Sequence, residues 1–87
     1  MTWQINFTPR AAKAYKKCDR RTREHISSTL RRVTHDDDPR RYGKPLVANK
    51  RGLWRWRAGH WRIIADIDDD TVTVLVVDIG HRSSVYR

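Results

Sequence analysis

Basic and aromatic side chains alternate in the segment WRWRAGHWRII, residues 54–64, with the period of a β-strand. Because successive strand residues point to opposite faces, Arg55 and Arg57 share one face, and Arg62 joins them from the next strand. If the Ala58-Gly59 turn is even in length, Arg55 lies directly opposite Arg62. Like charges directly opposite each other destabilise a sheet. The pattern therefore predicts a site for a polyanion, which supplies the missing negative charge.

More candidate groups lie in the tail that begins after Gly80. We expect this tail to fold back over the arginine face and to bring His81, Arg82 and Tyr86 to His60 and the three arginines. No cysteine or acidic residue stands at ligand spacing from His60 or His81. We therefore expect no metal and no cofactor.

Phosphoryl chemistry fits this set of side chains. Attack on a phosphodiester concentrates negative charge on the non-bridging oxygens, and fixed guanidinium groups stabilise that charge. With no carboxylate or metal to activate water, the simplest nucleophile belongs to the substrate, and RNA carries one in its ribose 2′-OH. The sequence thus favours RNA cleavage by internal transfer over DNA hydrolysis, with Tyr86 stacking on a base or ribose.

Composition supports a nucleic-acid partner. The 87 residues predict one domain, 1–87, with one core. Nineteen Lys and Arg against ten Asp and Glu give a net charge of +9, although general surface charging is the alternative reading. Cys18 is the one cysteine, which fits a reducing cytoplasm, and no apolar run suggests a signal peptide or a membrane span.

The apolar periodicity predicts a two-layer α+β domain. Strands are expected at 3–7, 53–57, 60–67 and 71–79, with helices at 9–18 and 20–34 and a short strand starting at Leu46 and Val47. Thr8 and Asp19 are the predicted N-caps of the two helices. The order is β-α-α-β-β-β, with a helical hairpin packed on one face of an antiparallel sheet.

Two further groups of residues allow two interpretations each. Cations on the helices and loops suit sequence-independent contacts with RNA or the ribosome, or are merely solvated: Lys13, Lys16, Lys17, Arg20, Arg21, Lys44, Lys50 and Arg51. The tryptophans of the strand pair, Trp54, Trp56 and Trp61, are predicted as core rather than as stacking platforms, because their face also holds Ile63 and Ile67.

Three runs together, DPRRYGKPL, GLWRWRAGHWRIIADI and VLVVDIGHRSSVYR, closely resemble the RelE toxins of bacterial toxin–antitoxin systems, within the RelE/ParE superfamily. The resemblance implies a microbial-RNase-like fold and a cytoplasmic mRNA interferase that enters the ribosomal A site, contacts rRNA and cuts the exposed codon. Cleavage by 2′-OH attack would leave a cyclic phosphate and a 5′-OH. It also implies an acidic RelB-like antitoxin that blocks the site and through which the complex reaches operator DNA.

The same resemblance assigns roles to individual residues. It gives charge stabilisation at the scissile phosphate to Arg62, protonation of the leaving 5′-oxygen to Arg82, substrate positioning to Tyr86, and basic strand positions to Arg55 and Arg57. Arg57 stands where the family has a Lys proposed as general base, and Arg is effectively never deprotonated in proteins. Either Arg57 only stabilises charge, or His81 takes the proton.

Two other functions stay open at this point. One is a ParE-like poison of DNA gyrase, which shares the fold and is not a nuclease. The other is a non-catalytic RNA-binding module, in which the same arginines bind phosphate without turnover.

Overall fold

Two helices pack on a five-stranded sheet in the computed structural model, which describes residues 2–46 and 52–81. The elements are β1 (Gln4–Phe7), α1 (Pro9–Lys17), α2 (Arg20–His35), a 3₁₀ helix (Pro39–Tyr42), β2 (Lys44–Pro45), β3 (Trp54–Ala58), β4 (Trp61–Asp68) and β5 (Thr73–His81). The strand order is β1-β5-β4-β3-β2.

The predicted α+β class with a helical hairpin on one sheet face is confirmed. One pairing differs from the expectation, because β1 runs parallel to β5 and the sheet is therefore mixed. The short strand before β3 is Lys44–Pro45 and not the predicted pair: Leu46 follows it, and Val47 lies outside the described residues. Neither helix of the described part combines the length and apolar character needed to span a membrane.

Both helices begin at the predicted caps. The Thr8 hydroxyl accepts a hydrogen bond from the Ala11 amide, and the Asp19 carboxylate accepts one from the Thr22 amide at 2.8 Å. Each cap satisfies a backbone donor that the first helical turn leaves without a partner. Pro9 occupies the first turn of α1, where its missing N–H costs nothing.

The main core lies between the hairpin and one face of the sheet. Ile26, Leu30 and Val33 form the buried stripe of α2 and pack against Trp56 and Ile63 of the sheet. Trp54 and Trp61 are partly buried against the same core, so the interpretation of the three tryptophans as core residues is confirmed. The opposite sheet face holds a smaller apolar cluster, formed by Leu46, Leu53, Ile64 and Val77.

Several strand limits differ from the sequence prediction, and two of the differences affect the site. The turn between β3 and β4 is Gly59-His60 and not Ala58-Gly59, because Gly59 adopts φ +65° at the first turn position, as two-residue hairpin turns with Gly there do. Strand β5 continues through Gly80 to His81, because Gly80 pairs with Arg62 in the ladder instead of ending it.

Candidate nucleic-acid interface

Four cations lie side by side on the sheet face that the helices leave open. Arg57 is directly opposite Arg62, and Lys44 is directly opposite Arg55. Side chains directly opposite are about 5 Å apart at their Cβ atoms, and residues two apart along a strand are about 7 Å apart. We refer to Lys44, Arg55, Arg57 and Arg62 as the cation cluster.

The predicted juxtaposition of like charges is therefore present, but between other residues than expected. The sequence analysis paired Arg55 with Arg62, whereas the Gly59-His60 turn shifts the register and puts Arg57 there. Both registers keep the same residues on each face, since the shift moves the partner by two positions. Gly80 is the next residue across from Arg62, and it adds no side chain to this end of the cluster.

A cavity of about 210 Å³ opens beside the cluster, lined by Tyr42, Gly43, Lys44, Arg55 and Arg57. It exceeds the roughly 30 Å³ that one water molecule occupies in the liquid. Its lining residues include one lysine, two arginines and one tyrosine. Guanidinium groups bind phosphate oxygens in bidentate geometry, so the cavity has the chemistry of an anion site.

The cluster has no internal counter-charge. Within the described ranges 2–46 and 52–81, no carboxylate forms an ion pair with any of its four side chains. Buried Asp78 lies opposite Ile64, one strand away from Arg55, and pairs with Arg10 of α1 at 3.1 Å. Among the residues that the structure describes, no ion pair therefore balances the positive charge of the cluster.

One wall of the cavity is fixed by close packing against β3. The indole N–H of buried Trp56 donates to the Pro39 carbonyl at 2.9 Å, which ties the 3₁₀ helix to the sheet. A Cβ at Gly43 would lie 2.7 Å from the Arg55 carbonyl oxygen and 2.7 Å from the Trp56 indole nitrogen. Only glycine allows this approach. Sequence reasoning did not single out Gly43, although its place directly before the short strand is a signal.

Tyr42 is a second residue of the cavity that the sequence analysis did not single out. Its hydroxyl donates to the Asp36 carboxylate at 2.9 Å, and this hydrogen bond, followed by the charge of Asp36, raises the pKa of Tyr42. The Arg32 guanidinium carbon lies 5.6 Å from the centre of the Tyr42 ring. The available signal was an aromatic residue between basic residues and Gly43.

The placement of His81 over the arginine face is wrong. His81 pairs with Trp61 in the ladder, and the two rings meet edge to face with centroids 5.5 Å apart. Trp61 lies on the helix side of the sheet, so His81 is on the opposite side from Arg62. The reason is strand alternation: β5 does not stop at Gly80, and its next side chain must point to the other face. His60 lies nearby, with its ring centroid 6.0 Å from that of His81.

The other predicted site residues fall in two groups. The five hairpin residues predicted to contact RNA or the ribosome, hereafter the hairpin cations, are exposed on the far side of the sheet from the cluster: Lys13, Lys16, Lys17, Arg20 and Arg21. Arg20 among them pairs with Glu24 at 3.1 Å. Four predicted residues lie outside the described part of the chain: Lys50, Arg51, Arg82 and Tyr86. The structure thus brings Lys44 to the three arginines and leaves the hairpin cations on a separate surface.

Comparison with known proteins supports the resemblance. Residues 5–86 match a family model described as the ParE toxin of the type II toxin–antitoxin system parDE. Two proteins of Mycobacterium tuberculosis are similar in sequence: Toxin RelG is 38% identical over 50 residues and Toxin RelE is 39% identical over 51 residues. These alignments cover 58% and 59% of this chain, and they span only 58% and 53% of the two toxins.

Similarity in structure extends further along the chain. A chain in the crystal structure of the toxin–antitoxin complex RelBE2 from Mycobacterium tuberculosis superposes with a TM-score of 0.81 at 26% sequence identity. The match covers 94% of this chain and 100% of that one. The family model covers nearly the whole sequence, and the two proteins similar in sequence are named RelG and RelE. The protein therefore belongs to the RelE/ParE superfamily of type II toxin–antitoxin toxins.

Proposed function

We propose that the protein is a ribosome-dependent mRNA endoribonuclease that cleaves codons in the A site and so inhibits translation. The observation that carries this proposal is the cation cluster, in which Arg57 and Arg62 lie directly opposite each other without a carboxylate partner among the described residues. Such an arrangement lowers stability in the absence of an anion, and RNA phosphate supplies that anion.

The cluster acts on the charge that develops at the scissile phosphate. When the 2′-oxygen attacks the phosphorus, the non-bridging oxygens gain negative charge, and donors fixed in place stabilise it without reorganisation. Arg57 and Arg62 bind the scissile phosphate, while Arg55 and Lys44 bind the neighbouring phosphates of the RNA backbone. The P–O5′ bond breaks, which leaves a 2′,3′-cyclic phosphate and a 5′-OH.

Proton transfer falls to other groups. A guanidinium group stays protonated in proteins, so the three arginines of the cluster stabilise charge and do not act as the general base. His81 lies beside Trp61 on the helix side of the sheet, and we do not assign the proton to it. By resemblance, Arg82 donates a hydrogen bond to the leaving 5′-oxygen while keeping its own proton, and Tyr86 positions the substrate. Water accepts the proton of the 2′-OH and supplies the proton of the new 5′-OH.

The proposed partners follow from charge and from the relatives. The RelBE2 chain that this protein resembles was solved in a toxin–antitoxin complex, which supports an acidic RelB-like antitoxin here, and a net charge of +9 favours an acidic cover. The hairpin cations, with Lys50 and Arg51, are proposed to contact rRNA. The site of action is the cytoplasm, where the ribosomes are.

The test is brief induction in bacteria, followed by primer extension on an abundant mRNA. In wild type we expect in-frame cuts confined to translated regions. Arg62→Ala should reduce cleavage about 100- to 1000-fold, the usual effect of removing one such donor. Arg31→Ala is the matched control, because it removes the same charge from an exposed position on α2 and should leave cleavage unchanged. Intact mRNA in arrested wild-type cells, or full cleavage by Arg62→Ala, contradicts the proposal.

Poisoning of DNA gyrase is the second candidate, favoured by the ParE description of the matching family model. It gives a different result in the same cells: covalent gyrase–DNA complexes accumulate and mRNA stays intact. The cation cluster supports the endoribonuclease over this candidate, because two arginines opposite each other can stabilise the negative charge that develops on a phosphate during cleavage.

A further inference from the structure

We propose that a nucleobase stacks on the ring of Tyr42, which adjoins the cation cluster proposed to bind phosphate. Tyr42 is then a positioning residue for single-stranded RNA. This inference rests on the proposed function in one respect, since it takes the bound polyanion to be RNA. It adds a contact to the base, where the cluster contacts only the backbone.

The first observation is exposure. Tyr42 is 45% exposed, and it is the one large hydrophobic side chain so exposed in residues 2–46 and 52–81. The strand tryptophans pack toward the helices, with Trp56 only 2% exposed. Single exposed apolar side chains are common on protein surfaces, so exposure makes the ring available to a ligand but does not by itself indicate one.

The second observation is that the exposed ring is held in place. Its hydroxyl donates to Asp36, and the Asp36 side chain is itself only 11% exposed and paired with Arg41 at 3.1 Å. The Arg32 guanidinium lies against the ring at 5.6 Å, within the range of a cation–π contact. A ring that is already ordered loses little conformational entropy when a ligand binds.

The third observation is position. Tyr42 lines the same cavity as Lys44, Arg55 and Arg57, and Gly43 brings this segment against the backbone of β3. Binding sites for single-stranded nucleic acid combine a cationic path for the backbone with aromatic rings on which bases stack. The cavity contains both parts. A phenol is already neutral at neutral pH, and the hydrogen bond to Asp36 raises the pKa of Tyr42 further.

Stacking of this kind tolerates any base, because every base has a π-face. Tyr42 should therefore contribute affinity and strand position rather than a codon preference. Loss of one stacking contact corresponds to about a 5- to 150-fold loss of affinity.

The experiment compares two ligands on the purified full-length chain. One is a short 2′-O-methyl RNA, which lacks the 2′-OH and is not cleaved; the other is a fully abasic strand of the same length and charge. Tyr42→Leu should weaken binding of the base-containing strand about 5- to 150-fold and leave the abasic strand unchanged. Tyr42→Phe keeps the ring and should stay within about threefold of wild type, although it loses the bond to Asp36. Arg57→Gln should weaken both ligands.

Equal loss of both ligands in Tyr42→Leu would assign Tyr42 a structural role and overturn the inference. It is also overturned if wild type binds the two strands equally, or binds neither. None of these results decides the proposed function, because cleavage is read separately by primer extension with Arg62→Ala. Conversely, intact mRNA in cells would overturn the endoribonuclease and leave the ratio of the two affinities as a measure of stacking.

Discussion

Arginine is used in two opposite ways in two neighbouring regions of this protein. In the acidic region, which comprises Asp38, Arg40 and Asp69, Arg40 forms a bidentate pair with Asp69 at 3.1 and 2.7 Å and also contacts Asp38 at 3.3 Å. In the cation cluster, Arg57 faces Arg62 across the strand pair with no carboxylate partner among the described residues. Arg40 belongs to the 3₁₀ helix, and Lys44 of the cation cluster follows the end of that helix by two residues.

The difference separates a structural use of charge from the functional use that we propose for the cation cluster. Arg40 joins the 3₁₀ helix to the turn between β4 and β5, and the pairing raises the pKa of Arg40 and lowers that of Asp69. Exposed pairs of this type contribute little to stability individually, because solvent screens them. The opposed arginines cost a similarly small amount. A chain with ten acidic residues has carboxylates available, yet none of those in the described part forms an ion pair with the cation cluster.

The largest expected effect comes from converting the cluster to the paired arrangement. Arg57→Glu sets opposite charges across the strand pair, so the free energy of unfolding should rise by about 0.5–1 kcal/mol. Cleavage should fall at least 100-fold, because a donor is lost and an anion is added beside the phosphate. Urea unfolding and primer extension measure the two quantities on the same variant.

A matched charge reversal in the acidic region should act in the other direction. Arg40→Glu sets a third carboxylate against Asp38 and Asp69 and should lower the free energy of unfolding. If Arg57→Glu and Arg40→Glu both destabilise the protein to the same extent, the two regions do not differ as we describe.

The sequence predicted what local patterns determine and missed what tertiary contacts determine. Period-2 alternation assigned Arg55, Arg57 and Arg62 to one face, and capping chemistry located both helix starts at Thr8 and Asp19. Resemblance then added the family and its fold. These features depend on residues close together in the chain, or on a motif read as a whole.

Register and approach distances could not be read in the same way. The partner of Arg62 depends on which two residues form the turn. His81 lies on the sheet face opposite to the predicted one, because β5 extends one residue past Gly80. The start of β5 moved to Thr73 because Val72 adopts φ +51°, a conformation that costs a β-branched residue about 1–2 kcal/mol and that no pattern predicts. The Val72 carbonyl there accepts from the Gln4 amide at 2.9 Å, a contact between residues distant in sequence.

An effect smaller than the 100-fold loss of cleavage is expected where Gly43 lines the cavity between the two regions. In Gly43→Ala the new Cβ would meet a backbone oxygen and an indole nitrogen at 2.7 Å. Relief requires the segment to move away from β3, so the free energy of unfolding should fall by about 1–3 kcal/mol. RNA affinity should fall with it, because Tyr42 and Lys44 move as well. Urea unfolding and binding of the 2′-O-methyl RNA test both.

Gly52→Ala is the control for this prediction. No atom lies within 4 Å of its added Cβ, but Gly52 adopts φ +76°, so the cost there is conformational and not steric. Stability should fall while RNA affinity per folded molecule stays constant. Equal RNA binding by Gly43→Ala and wild type would show that the cavity does not need this close approach.

The smallest expected effect is the pH dependence of the acidic region. The hydrogen bonds that Arg40 donates to Asp69 hold the pKa of Asp69 below its ordinary value of 3.8. Between the pKa of Asp69 in the folded protein and that in the unfolded chain, the unfolded chain therefore binds more protons. The pair therefore contributes fully to stability above about pH 4, and its contribution is lost as the pH falls through the folded pKa. Asp69→Asn removes it, so the free energy of unfolding should be lower at pH 7 and should decline less steeply from pH 5 to pH 2.

Asp70→Asn removes the same charge from the same turn without breaking the pair, and it should keep the wild-type slope. If Asp69→Asn also keeps that slope, the bidentate contact with Arg40 does not stabilise the fold, and the acidic region would be as open to external partners as the cation cluster.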